Sequence, residues 1–345
     1  MDGGLSACAV HTILISMFRR LEEAHTRLKD IINITPVMTS RSLDRITNNT
    51  CFLKCENFQR TGTFKFRGAY NALSQLSSEE KKRGAITHSS GNHAQALALA
   101  GSILGIRITV VMPENAPTIK VAATKGYEAK IVTCGSHPTD REKVAFSLAK
   151  KHGYAFIHPS DNLEVIAGAG TAAYELIKHV PKLDRILCPV GGGGLMAGTA
   201  IATTTLLPSA KIIGVEPKNA DDAYQSFKSG HIIRAQNPNT IADGLRTSLG
   251  PNTFRIIREK VDQIVTISED EIVKAMRFIW ERMKLVVEPS GAVSLAGLLS
   301  KQTDLQSKKT GVIISGGNMD LEDFFARIQN ARARAHALKW LFLYV

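Results

Sequence analysis

The sequence contains no C-x-x-C pair, and its five cysteines, Cys8, Cys51, Cys55, Cys134 and Cys188, are an odd number. That speaks against a zinc site and a disulfide framework, so a reducing, cytoplasmic compartment is expected. Aromatic residues make up only 6% of the chain, too few for a base-stacking platform even though TFKFRG interleaves phenylalanine with cations. A run of one charge is also missing. The formal net charge is +12, but 43 lysines and arginines are scattered among 31 acids, so no nucleic-acid partner is expected. Long apolar runs are lacking as well. LSACAVHTILISMF follows Asp2 rather than a basic flank, the wrong pattern for a secretory signal, and like the closing KWLFLYV it is too short to span a bilayer. No membrane association is expected. Repeats, low-complexity segments and an obvious linker are absent too.

What is present is a chain of 345 residues, 44% hydrophobic, long enough for two lobes with sizeable cores. From about residue 50 onward, apolar runs of strand length recur: CFLKC, AITH, ITVVM, AKIVT, AFIHP, RILCPV, KIIGVE, QIVTI and GVIIS. Between them lie helical patterns such as TDREKVAFSLAKKHG and SEDEIVKAMRFIWERM. The latter opens with Ser268 and carries Glu271 three residues on, the spacing of a capping box. Alternating strands and helices predict an α/β fold with mostly parallel sheets flanked by helices, and two domains interwoven rather than strung in series.

In open α/β sheets, chemistry gathers at the turns from strand to helix. Four such turns stand out. After RILCPV comes Gly191-Gly192-Gly193-Gly194 and then a helix, an arrangement whose bare amides suit a phosphate. Gly192, Gly194 and Ala197 also fit G-x-G-x-x-A with Glu216 about twenty residues on, so the turn alone leaves a nicotinamide cofactor and another phosphate cofactor open. In TGTFKFRGAYNAL, Lys65 lies between Phe64 and Phe66. It reads either as a solvated lysine or as an amine whose pKa is lowered by apolar neighbours and by the like charge of Arg67. ITHSSGNHAQ breaks a strand at Ser89-Ser90-Gly91-Asn92-His93, which would either cap a helix or bind a carboxylate. GVIISGGNMD ends a strand at Ser315-Gly316-Gly317-Asn318.

In this order and spacing, the four segments resemble the fold-type II (tryptophan synthase β-like) pyridoxal-phosphate enzymes of the serine/threonine dehydratase family. Within it the serine-racemising members are the most similar. The resemblance runs from about Leu21 to about Asp320 and includes NADDAYQS, TIADG and WERMKLVVEPSGAV. It implies that Gly191, Gly192, Gly193 and Gly194 hold the phosphate of pyridoxal 5'-phosphate, that Lys65 is the Schiff-base lysine, and that Phe64 and Asn92 pack on the ring and bond its 3-hydroxyl. Ser315 would meet the pyridine nitrogen. A neutral serine there, rather than an aspartate, leaves the ring less electron-withdrawing, which favours proton transfer and loss of a β-hydroxyl over transamination.

The same resemblance implies racemisation of L-serine to D-serine with accompanying β-elimination to pyruvate and ammonia. Lys65 would serve one face of Cα and Ser90 the other, since racemisation needs two acid/base groups. Ser-Ser-Gly-Asn-His separates this pattern from threonine dehydratases, which typically read Ser-Ala-Gly-Asn-His, although some hydroxyaspartate dehydratases share it. A serine/threonine or 3-hydroxyaspartate dehydratase is the alternative. Ser89, Ser90, Asn92, His93 and Arg141 are the expected contacts of the amino-acid substrate, and Glu288 is expected near the cofactor. Glu216 and Asp222, with the carbonyl of Ala220, would hold Mg²⁺ or Ca²⁺. ATP as an allosteric activator is implied at Ser40, Thr61, Gln95, Lys120, Tyr127 and Asn318, with two departures: Arg41 replaces a serine and Arg60 a lysine. A homodimer is expected. The domains would be 17–83 with 162–330 (large) and 84–161 (small), with residues 1–16 an N-terminal extension, Met17 a family-like start, and 331–345 a tail without a family counterpart.

Overall fold

The computed structural model describes residues 7–89, 91–114, 116, 118–135, 138–300 and 308–319. The tail expected over 331–345 lies outside them. The chain opens with helix α1 (Ala7–Leu28), which buries Met17, Leu21, Ala24 and Leu28, one face at helical spacing. The helix runs unbroken through Met17, because ISMFRR offers neither cap nor breaker there; the expected boundary between extension and core falls inside a helix.

Two sheets follow. The first joins β1 (Val37–Met38), β2 (Thr50–Cys55), β7 (Arg185–Pro189), β8 (Lys211–Pro217), β9 (Gln263–Ile267) and β10 (Lys309–Ile314), in the order β1-β2-β10-β7-β8-β9. All its pairs are parallel except β1 with β2, where Met38 faces Leu53. The second contains β3 (Ala85–His88), β4 (Ile108–Pro113), β5 (Lys130–Cys134) and β6 (Ala155–Phe156), ordered β5-β4-β3-β6 and parallel throughout. Parallel strands covered on both faces have no wet side, which is why RILCP is buried at every residue and reads as a continuous apolar run. AFIHP departs from expectation: only Ala155 and Phe156 form the strand, Ile157 N–H adds a last bond to the Ile86 carbonyl at 2.9 Å, and the chain then leaves the sheet.

Helices fill the crossovers. Those that position the site are α3 (Lys65–Ser74), α5 (Asn92–Leu104), α7 (Pro138–His152), α8 (Leu163–His179), α9 (Gly194–Leu206), α11 (Pro251–Lys260) and α13 (Pro289–Leu299), interspersed with α2 (Arg41–Thr47), α4 (Ser78–Arg83), α6 (Thr118–Gly126), α10 (Asp222–Ser229) and α12 (Glu269–Phe278). Ser268 and Glu271 form the expected capping box at the start of the helix Glu269–Phe278: Ser268 N–H donates to Glu271 Oε2 at 2.7 Å, and Ser268 Oγ accepts from Glu271 N–H. The main core packs α1, α8, α9 and α11 against one face of the six-stranded sheet, and a separate core surrounds β3 and β4.

Candidate active site

Lys65 is the first residue of α3, and the chain just before it is strapped to the end of β10. Phe64 N–H donates to the Ser315 carbonyl at 3.1 Å, Gly317 N–H to the Gly62 carbonyl at 2.9 Å, and Thr63 bridges to Gly316. This fixes where the lysine leaves the backbone. Its Nζ donates at 2.8 Å to the carbonyl of Pro159, 5.1 Å from the centre of the Phe64 ring. Burial pulls the Lys65 pKa down to about 8, with Glu288 opposing it. Arg67 plays no part in that shift, contrary to the sequence expectation. Its guanidinium points into the core, where Glu56 and Glu175 neutralise it.

The glycine turn joins β7 to α9, with Gly193 at φ +82°. A Cβ on Gly193 would come within 2.6 Å of Leu249 Cδ2 and 2.8 Å of Thr253 Cβ, and one on Gly192 would collide with the Ser160 side chain. The first amides of any α-helix lack intrahelical acceptors, so the bare turn at the start of α9 presents donors suited to a phosphate.

Asn92 opens α5 but does not cap it; Gly91 stands at the cap without a side-chain bond. The amide is thereby free for other work. Its Nδ2 donates to Glu288 Oε1 at 2.8 Å, and its Oδ1 accepts from Asn318 Nδ2 at 2.9 Å, which leaves one N–H of the amide for a ligand. Glu288, 3% exposed, precedes α13, and its N–H donates to the Gly316 carbonyl. Ser315, also 3% exposed, donates from Oγ to the Ser290 carbonyl at 3.3 Å, so meeting a ring nitrogen requires only that this long bond give way to a rotation of the hydroxyl. Lys65, Phe64, Asn92, Glu288 and Ser315 are thus brought together.

Ser89 Oγ accepts from Gly91 N–H at 3.3 Å. His93 is 2% exposed and its ring nitrogens have no hydrogen bond of normal geometry; burial first, then the charge of Lys65, keeps it well below the usual histidine range and neutral. A neutral imidazole is a poor electrostatic partner for a carboxylate. Arg141, on α7, is partly buried and acts on His88. Ser90 and the side chain of Lys120 lie outside the described residues. Among the other nucleotide candidates, Thr61 and Asn318 meet, Asn318 Nδ2 donating to the Thr61 carbonyl at 2.7 Å. Ser40 instead caps the helix Arg41–Thr47, Gln95 lies on α5, and Tyr127 packs against the core of the four-stranded sheet.

Glu216, next to last in β8, is fully buried. Its two oxygens accept from Ala223 N–H at 3.0 Å and Tyr224 N–H at 2.8 Å. Asp222 is 4% exposed, with both oxygens outside any hydrogen bond of normal geometry. Burial and then Asp222 raise the Glu216 pKa well above the carboxylate range, and burial lifts Asp222 to about 6, with the Ser248 hydroxyl opposing. Two buried carboxylates, one of them raising the other, have the chemistry of a hard-cation site. Among the described residues no third His, Cys, Asp or Glu joins them. The remaining ligands would be carbonyl, such as that of Ala220, and water, which suits Mg²⁺ or Ca²⁺. A cavity of about 280 Å³ is lined by Ala220, Asp222, Gln225 and Arg234.

Sequence reasoning missed the turn His158-Pro159-Ser160-Asp161, which touches both the lysine and the glycine loop. It was hidden because AFIHP reads as a strand.

An amine kept partly neutral near a phosphate cradle is what an enzyme needs to hold a phosphorylated aldehyde covalently, and in an α/β fold this combination defines the pyridoxal-phosphate class. The chain belongs to the pyridoxal-phosphate dependent enzyme family, whose profile matches residues 28–316. It is 49% identical to the L-threo-3-hydroxyaspartate ammonia-lyase of Saccharomyces cerevisiae, over 90% of this chain and 96% of that protein. To the serine racemase of Schizosaccharomyces pombe it is 45% identical, over 90% and 97%. The crystal structure of serine racemase from Dictyostelium discoideum superimposes with a TM-score of 0.83 at 46% identity, covering 88% of this chain and 98% of that one. Among the described residues no helix is long and apolar enough to cross a membrane.

Proposed function

We propose that the chain racemises L-serine to D-serine with pyridoxal phosphate, and eliminates water from serine to give pyruvate and ammonia as a second activity. The observation that carries this reading is Lys65: a partly buried amine, with its pKa near 8, at the meeting of β10, α5 and the 158–161 turn. The cofactor, when bound, withdraws electrons from Cα and so acidifies its proton. The chain's own groups do the rest. Gly191 to Gly194 donate amides to the phosphate, Asn92 offers its remaining N–H to the ring hydroxyl, and Ser315 presents a neutral hydroxyl to the ring nitrogen. Lys65 Nζ holds or returns a proton on one face, and Ser90, by resemblance, on the other. The turn Ser89 to His93 receives the substrate carboxylate at the start of α5.

A second reading, an ammonia-lyase acting on 3-hydroxyaspartate, is favoured by the 49% identity to the yeast enzyme. Chiral product analysis with L-serine and with L-threo-3-hydroxyaspartate, following the 2-oxo acids in parallel, separates the two. The expected result is D-serine from the wild type, reduced at least about tenfold in Ser90→Ala while pyruvate persists. A 2-oxo acid without D-serine would mean the lyase.

Mg²⁺ or Ca²⁺ at Glu216, Asp222 and the Ala220 carbonyl relieves the repulsion between the carboxylates. Mg²⁺ at about 100 times its Kd is expected to stabilise the chelator-treated protein by about 2.7 kcal/mol, read as a rise of several degrees in unfolding midpoint, and Glu216→Gln to abolish that rise. ATP activation through Thr61, Asn318, Gln95, Tyr127, Ser40 and Lys120, a homodimer, a cytoplasmic location and a small domain over 84–161 complete the reading. In support of that domain, the four-stranded sheet runs from Ala85 to Phe156.

A further inference from the structure

The turn that receives the Lys65 amine is itself built around an imidazole. His158 follows β6 by two residues, where the chain leaves the four-stranded sheet after Ile157 N–H donates to the Ile86 carbonyl at 2.9 Å. Its Nδ1 accepts two backbone amides, Ser160 N–H at 3.2 Å and Asp161 N–H at 2.8 Å. An atom that accepts from two donors carries a lone pair, so the ring proton sits on Nε2. The ring is held from the side by His88, edge-on at 5.6 Å between centroids, and by Phe156 at 6.2 Å. Beyond the turn the chain is bolted to the six-stranded side: Asp161 Oδ1 accepts from Thr253 N–H at 2.8 Å in the first turn of α11, and Asn162 Oδ1 caps α8 through Glu164 N–H at 2.9 Å. Between these anchors lie the two atoms that matter. The Pro159 carbonyl accepts from Lys65 Nζ at 2.8 Å, and Ser160 packs on Gly192 and Gly194.

We propose that His158 is a positioning residue: by accepting two amides at Nδ1 it folds the 158–161 turn so that the Pro159 carbonyl receives the free amine of Lys65 and Ser160 backs the glycine loop. The sequence dictates the need for such a device. Proline at 159 has no N–H to pair and ends the strand, so the next two amides have no ladder partner and require an acceptor from a side chain. Nδ1, two bonds from Cβ, reaches them, and an asparagine Oδ1 occupies the same place. A glutamine mimics Nε2 instead and leaves both amides without their acceptor. This inference rests on the reading of Lys65 as the cofactor lysine.

The test uses cofactor-free enzyme and free pyridoxal phosphate. The rate at which the cofactor is captured is followed by visible absorbance in wild type, His158→Asn, His158→Gln and Lys65→Ala, and thermal unfolding is recorded for each. His158→Gln is expected to slow capture at least about tenfold and to lower kcat more than it raises KM, whereas His158→Asn stays within about threefold of wild type, because two amide bonds are lost in one and kept in the other. Equal rates in Asn and Gln, whether both fast or both slow, would overturn the proposal. Should His158→Gln fail to fold, the ¹⁵N shifts of the imidazole in folded wild type decide: an unprotonated Nδ1 supports the clamp and a protonated one sinks it. Lys65→Ala separates the two readings, since stable capture by that variant would dismiss Lys65 as the cofactor lysine without reference to His158.

Discussion

Lys65→Met is expected to abolish turnover, lowering kcat/KM by more than about 10³-fold, and at the same time to make the cofactor-free protein more stable. Both effects come from one cause. The amine is held at the start of α3 among Phe64, Pro159 and Glu288, where burial lowers its pKa to about 8 from an ordinary value of 10.5. In the unfolded chain that proton is bound more tightly than in the folded one, so a charged Lys65 costs the fold stability at every pH below about 8. The cost fades as pH rises from there toward 10.5, where both states have lost the proton. Discounting for the retained bond to the Pro159 carbonyl and for partial solvent access, the penalty at neutral pH is on the order of 1–2 kcal/mol. Methionine keeps the aliphatic stem without the charge. The cofactor-free variant should therefore unfold a few degrees above wild type at pH 7, with the gap closing in alkaline buffer. A variant that is inactive yet no more stable would mean the amine is not strained, and that the lysine is not tuned for attack on an aldehyde.

Much of this site was legible in the sequence because each part is a backbone device with a residue signature. Four glycines between a buried strand and a helix announce a turn where side chains do not fit, and Gly193 at φ +82° against Leu249 and Thr253 bears that out. The strand runs were legible for the same reason that parallel strands are buried on both faces. What could not be read was partnership across sequence distance. Nothing near residue 65 points to Pro159, and nothing near Asn92 points to Glu288, 196 residues away. Proximity along the chain makes Arg67 look like a charge acting on Lys65. On a helix, however, residues two apart face apart, and Arg67 turns its guanidinium to the opposite, buried side. The two-residue β6 was overestimated because Ile157 continues the apolar run while Pro159 already ends the pairing.

Arg67→Met is the substitution expected to cost the fold most, about 3–5 kcal/mol. The guanidinium is fully buried and binds two carboxylates at once: Nε and Nη2 donate to Glu56 at 2.7 and 2.9 Å, and Nη1 and Nη2 to Glu175 at 2.6 and 2.8 Å. Thr171 and Thr35 accept from the same nitrogens, and Lys54 Nζ completes the cluster, donating to Glu175 Oε2 at 2.7 Å and to the Thr35 carbonyl at 2.8 Å. Two cations and two carboxylates cancel, so the core tolerates them together. Burial pushes the Glu175 carboxyl up, but Arg67 and then Lys54 outweigh it and keep the carboxyl below its ordinary range. A carboxyl with a depressed folded-state pKa lends stability at neutral pH that disappears as pH falls through the carboxylate range. Methionine fills similar volume yet leaves Glu175 with Lys54 and Glu56 with the neutral Thr35 hydroxyl, so at least one carboxylate must take up a proton to remain buried. The deficit should accordingly be largest at neutral pH and narrow toward about pH 5, where protonation costs less. Denaturant unfolding at both values checks this. Equal deficits would mean that lost packing, not stranded charge, sets the cost. The cluster ties α3 to α8, β2 and the turn at Glu56 just two residues beyond Lys65, so the ion pairs that hold the core together also fix the helix from which the reactive amine departs.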